Sequence, residues 1–244
     1  MPGAVVSVAV LAALLPGLLA GAQAASLAPL LQGGGINSLW RVATLPNQRA
    51  PVTQFAPEQV AGRAALRLQA QGSYGNLLHD LPAATVFAEG QRLAWSWRLQ
   101  KPNASIDLHK KTGDDSPAKV CLSFAVPLER VPFGERQQLR MAQALSGIDL
   151  PTATLCWVWG GPEAKQALVD NPYTRRVRAI VLRNAGDALD TWLDESRDIA
   201  ADFKRAFGDE SPALPAATAV LVGADADNTR AHSVAFVADL RITP

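Results

Sequence analysis

Along most of the chain apolar side chains recur at every second position, in short runs separated by turn-forming residues. The clearest run covers residues 92–99, where Leu93, Trp95, Trp97 and Leu99 alternate with Ala94, Ser96 and Arg98. Successive side chains of a strand point to opposite faces, so this is the pattern of a half-buried strand. Residues 118–126 repeat it with Val120, Leu122, Phe124 and Val126, and Leu155, Trp157 and Trp159 share a face further on. Residues 64–68, 177–182, 218–222 and 233–242 read the same way. Four of the six tryptophans fall on these apolar faces and are expected in the core, while Trp40 and Trp192 stay candidates for ligand stacking.

Two stretches break the period of two. Residues 134–145 place Leu139, Ala142 and Leu145 at helical spacing and predict a short surface helix. Residues 194–207 place Ile199, Phe203 and Phe207 four apart, with Gly208 at a suitable position just past the end, and predict a second helix. Short strands around two helices, without strand–helix–strand alternation, predict a mainly β fold: an antiparallel, jelly-roll-like β-sandwich with one or two helices packed at its edge. No internal repeat or linker divides residues 39–244, which are read as one domain. Residues 25–38, small and rich in Leu and Gly, read as a flexible lead-in.

The N-terminus changes the picture of where this domain works. Residues 4–20 are almost all Ala, Val and Leu, interrupted by Ser7, Pro16 and Gly17, and small residues follow at Ala22 and Ala24. That is the pattern of a signal peptide cleaved after Ala24, which predicts a periplasmic or secreted protein. Its start carries no Lys or Arg, so an uncleaved N-terminal anchor is the alternative reading. No later segment approaches the ~20 apolar residues of a spanning helix, so no membrane span is expected after cleavage. In an oxidising compartment Cys121 and Cys156, both in strand-like runs, have two readings. Either they form a disulfide, adding about 3 kcal/mol of stability, or they are buried small hydrophobes that never meet.

The 244 residues carry 23 Lys+Arg against 22 Asp+Glu, a formal net charge of +1, which excludes a nucleic-acid partner held by charge. There is no GxSxG elbow, P-loop, GxGxxG or HExxH, and His79, His109 and His232 are scattered. The sequence therefore leans away from an enzyme. Three polar groups remain. The first is Lys110-Lys111-Thr112-Gly113-Asp114-Asp115, a turn leading into the strand from Val120, in which Gly113 permits a positive φ. The second is Asp225-Ala226-Asp227-Asn228-Thr229, whose hard oxygens suit calcium if any cation is bound, with an Asx-turn as the structural alternative. The third is Glu195, Arg197, Asp198 and Asp202 around the second helix, where Arg197 is the group expected to reach Asp114 and Asp115 from an edge of the apolar stripe.

Taken together, residues 110–120, 192–208 and 225–229 are similar to a bacterial family of exported proteins, domain of unknown function 3047. Trp95-Ser96-Trp97-Arg98 and Leu155-Cys156-Trp157-Val158-Trp159 add to the resemblance. It implies a single exported β-rich domain and supplies no catalytic residues. The expected function is a non-enzymatic binding module for a glycan or other envelope ligand, with Lys110, Asp114, Asp115 and Arg197 at the ligand and Asp225, Asp227 and Asn228 as the cation candidates. The alternatives are a hydrolase or lyase of envelope or extracellular glycans that uses Asp107, Asp114 or Asp115, and a structural envelope protein.

Overall fold

The computed structural model describes residues 27–147 and 149–244, so the signal-like segment lies outside the described residues. In chain order the strands are β1 (Leu31–Gln32), β2 (Gly35–Ile36), β3 (Arg41–Ala43), β4 (Gln54–Val60), β5 (Arg63–Gln71), β6 (Tyr74–Thr85) and β7 (Arg92–Lys101). They continue as β8 (Lys119–Phe124), β9 (Ala153–Trp159), β10 (Leu168–Asp170), β11 (Val177–Arg183), β12 (Leu193–Asp198), β13 (Ala217–Asp225) and β14 (His232–Thr243). Helix α1 spans Phe133–Ser146 and α2 spans Ile199–Phe207.

Two sheets form the sandwich. One has seven strands in the order β10-β11-β9-β8-β13-β6-β3, the other five in the order β12-β7-β14-β5-β4. Between these strands pairing is antiparallel except for β9 and β11, which run parallel, joined by the excursion that carries β10. The alternation read from the sequence sets the layer between the sheets. Trp95 and Trp97 on β7 face Trp157 and Trp159 on β9, with ring centroids 5.7 Å apart in both pairs. All four side chains are fully buried. Aromatic rings of this size supply much of the apolar area that holds two sheets together. Trp40 joins the core too, tilted against the His79 ring and donating its indole N–H to the Ala28 carbonyl. Trp192 is half-buried under the Arg63 guanidinium, 4.9 Å from the ring centre.

Within the segment expected as a loose lead-in, β1 and β2 form a two-residue ladder and Leu30 is buried. Cys121 and Cys156 sit directly opposite each other on β8 and β9, and their sulfurs are bonded across a sequence separation of 35 residues. Among the described residues no helix is long and apolar enough to cross a membrane.

The helix expected over 194–207 begins later. Residues up to Asp198 are β12, the edge partner of β7, and Glu195 on it accepts from Trp97 Nε1 (3.0 Å) and Arg183 Nε (2.6 Å). The helix starts where the four-residue apolar spacing starts, at Ile199, with the Asp198 carboxylate capping the Ala201 amide. Ile199, Phe203 and Phe207 are buried, and Phe203 lies against Phe124 (4.7 Å) and Phe207 (5.6 Å). Gly208 follows in the right-handed region, not the left-handed one. A Cβ there would stand 2.3 Å from the Lys204 carbonyl oxygen, so the close approach requires glycine.

Candidate functional site

The two polar turns singled out in the sequence meet. The loop before β8 lies against the turn between β13 and β14, and each turn supplies an acceptor to the other. Asp225, the last residue of β13, accepts from the Ser116 amide (2.7 Å), and its own amide donates to the Ser116 carbonyl (2.9 Å). In return Asp115 accepts from the Thr229 amide (2.8 Å), the Thr229 hydroxyl (2.5 Å), the Asn228 amide (3.2 Å) and Asn228 Nδ2 (3.3 Å). Asp115 is only 1% exposed. With four donors, a buried carboxylate is well supplied, so Asp115 and Asp225 act as a reciprocal latch between the loops. Gly113 lets the first loop fold back on itself, because a Cβ there would lie 2.7 Å from the Asp107 amide nitrogen. Its φ is not positive, so close approach and not left-handed backbone is what the sequence needs at this position.

Lys119 neutralises one of these acids. Its Nζ stands 2.5 Å from Asp225 Oδ2 and 4.9 Å from the centre of the Tyr74 ring. Burial works against the ammonium, yet Asp225, Tyr74 and Asp114 together hold its pKa above the ordinary lysine value. A third loop completes the cluster. Asn171 Nδ2 donates to Asp114 Oδ2 (2.5 Å), and the Tyr173 hydroxyl reaches the Asn228 side-chain oxygen (2.7 Å) and the Lys111 carbonyl (3.1 Å).

Asp114 and Asp227 face a different situation from the latch residues. Burial first and Asp225 second push the Asp114 carboxyl up to about 6, against the opposing pull of Lys119 and Asn171. Burial, Asp225 and Asp115 raise Asp227 as well, and its Oδ1 is enclosed without a protein donor. Tyr173, 55% exposed, stands beside them, and its phenol is raised by burial and by Asp114, Asp227 and Asp115. The folded chain therefore holds a proton on Asp114 that the unfolded chain has already released between the ordinary aspartate range and pH 6, so stability falls as pH rises through that window. Asp114→Asn removes the strain of ionisation while keeping an acceptor for Asn171. It is expected to raise stability by about 1–2 kcal/mol at pH 7 and to change it little at pH 4, as urea denaturation at the two values would report.

Two expected members lie elsewhere. Lys110 is 72% exposed on its side chain and pairs with Asp107 (2.6 Å), three residues back. Arg197 does not reach Asp114 or Asp115. Its guanidinium is held bidentately by Asp202 (2.7 and 2.8 Å), which also accepts the Trp157 indole N–H (2.7 Å). A carboxylate five residues away in the first turn of α2 captures the arginine before a distant loop can. Asn171, Tyr173 and Lys119 were not among the expected ligand residues. The signals available were a polar-aromatic turn, Asn171-Pro172-Tyr173-Thr174, and a lone cation opening an otherwise apolar strand.

As a cation site, the donor set is engaged. Carboxylate oxygens of Asp115, Asp225 and Asp227 lie within 4.8 Å of one another. Calcium at Asp225, Asp227 and Asn228 would have to displace Lys119 from Asp225 and Tyr173 from the Asn228 oxygen. Only Asp227 offers an acceptor no protein group already uses.

Residues 38–241 match the family model described as a protein of unknown function, DUF3047. The chain belongs to the DUF3047 family. No curated protein matches it. Among solved structures the DUF3047 chain is similar to the enzymatically active domain of tailspike protein 4 of bacteriophage CBA120, at 7% identity and a TM-score of 0.37. The similarity covers 88% of this chain and 21% of that one.

Proposed function

We propose that this DUF3047 chain is an exported, periplasmic or secreted binding protein that takes a glycan or another hydroxyl-rich envelope ligand where the three loops meet. The observation that carries the reading is the contrast inside one cluster. Asp115 and Asp225 are fully engaged by protein donors, whereas Asp227 Oδ1 is enclosed with none, next to an exposed tyrosine. An enclosed acceptor without a donor costs about 1–3 kcal/mol, and a ligand hydroxyl removes that cost. A tyrosine ring beside carboxylate and amide acceptors offers the mixed apolar and hydrogen-bonding surface that sugars engage.

Asp114 favours one second reading. A carboxyl raised to about 6 by burial and by a neighbouring Asp225 has the protonation pattern of a general acid, as a glycan hydrolase or lyase requires. One experiment separates the two: a panel of envelope glycans, scored both by thermal shift and by release of new chain ends. The binding reading expects a Tm rise, since a ligand at 100 times its Kd adds about 2.7 kcal/mol. It also expects Asp227→Ala to abolish the rise, with no chain ends released. Release of chain ends that Asp114→Asn abolishes would establish the catalytic reading instead, and a panel giving neither shift nor release would remove both.

A further inference from the structure

The side of α1 turned away from the sandwich carries apolar residues that the fold does not use. Of its 14 residues only Leu139 is buried. The inward side is otherwise held by charge, with Glu135 paired to Arg176 and lying 4.0 Å from Arg175. Outward, Phe133 is 70% exposed, Met141 66% and Leu145 79%. At 100° per residue these three and Ala144 share an arc of about 120° that contains no charged residue. Leu145 was expected beside Leu139, but positions three apart drift by about 60° each time, which carries Leu145 round to the outer face.

Cations border this arc on one edge. Arg136 and Arg140 lie within about 60° of Phe133 around the helix axis, and the Arg136 guanidinium sits over the Phe133 ring at 5.6 Å. The helix's one acid, Glu135, is turned inward and neutralised. Packing against a second copy would bring two sets of Arg136 and Arg140 together, whereas an anionic surface turns the same edge into an attraction. We propose that α1 is an interfacial helix for an anionic lipid bilayer: Phe133, Met141 and Leu145 enter the boundary between headgroups and acyl chains, and Arg136 and Arg140 engage lipid phosphates. The proposal does not depend on the reading of the acidic loop cluster.

The test uses the full chain with an environment-sensitive dye on Leu145→Cys, which reads α1 alone because the native cysteines are bonded to each other. Vesicles of phosphatidylglycerol are expected to shift the emission to the blue and vesicles of phosphatidylcholine to leave it nearly unchanged. Met141→Asp in the labelled chain should weaken the apparent affinity by about tenfold or more. Arg136→Gln with Arg140→Gln should weaken it and flatten its salt dependence. The proposal fails if phosphatidylglycerol gives no shift, if both lipids shift the dye equally, or if Met141→Asp changes nothing. A shift that grows with protein concentration in the absence of vesicles overturns it in favour of a second copy.

Discussion

Replacing Asp115 with alanine is expected to lower stability by about 3–5 kcal/mol and to loosen both loops it ties together at once. The carboxylate is the shared acceptor of the Asn228 and Thr229 amides, the Thr229 hydroxyl and the Asn228 side chain. Truncation leaves several of these donors enclosed, at about 1–3 kcal/mol each. One effect runs the other way: Asp115 helps to raise the carboxyls of Asp225 and Asp227, so its removal relieves some repulsion. That relief is smaller than the loss, because Lys119 already compensates Asp225. Asp115→Asn keeps the shape and one acceptor oxygen and should lose roughly half as much. Urea unfolding with an unchanged m-value is the measurement. A loss below ~1 kcal/mol for the alanine variant would mean that something other than this carboxylate ties the loops together.

The parts of the fold that were legible in the sequence are those where burial imposes a period. On β7 and β9 the tryptophans recur every second residue because one face of each strand meets the other sheet, and they pack there in tilted pairs. The start of α2 was not legible, since Asp194, Glu195, Ser196 and Arg197 are polar in either conformation. What decides for a strand is nonlocal: β7 needs an edge partner, and Trp97 and Arg183 both need the Glu195 carboxylate. The parallel pairing of β11 with β9 is equally invisible, because the apolar pattern of a strand reads the same in either direction.

For the site, each turn announced itself locally through Asp, Asn and Gly, but their meeting did not. Asp115 and Asn228 are 113 positions apart, and no local pattern encodes that contact. Arg197 misled for the opposite reason. A guanidinium near an apolar stripe needs a carboxylate, and Asp202, five residues on, supplies it while also accepting from Trp157. Likewise the polar residues of the third loop were silent alone. Asn171 and Tyr173 gain their role only because Asp114 and Asn228 are brought to them.

Lys119→Met should cost about as much as the loss of Asp115, around 3–5 kcal/mol at pH 7, because it leaves the Asp225 carboxyl buried without its counter-ion. The side chain of Asp225 is 9% exposed, and its pKa is already raised by burial with Lys119 in place. Without the ammonium it rises further, so the folded chain resists ionising a group that the unfolded chain ionises freely. The sign follows from that difference: the deficit is full at neutral pH and shrinks as pH falls toward the ordinary aspartate range, where Asp225 is neutral in both states. Methionine keeps most of the contact with the Tyr74 ring, so the lost cation–π attraction adds about 0.5–1 kcal/mol at most. The double variant Lys119→Met with Asp225→Asn decides the cause. If the penalty is the unpaired charge, the second substitution restores most of the stability, since an uncharged amide can still accept from the Ser116 amide. If instead the double variant is as unstable as the sum of the two single ones, Lys119 stabilises through packing alone and the ion pair is incidental.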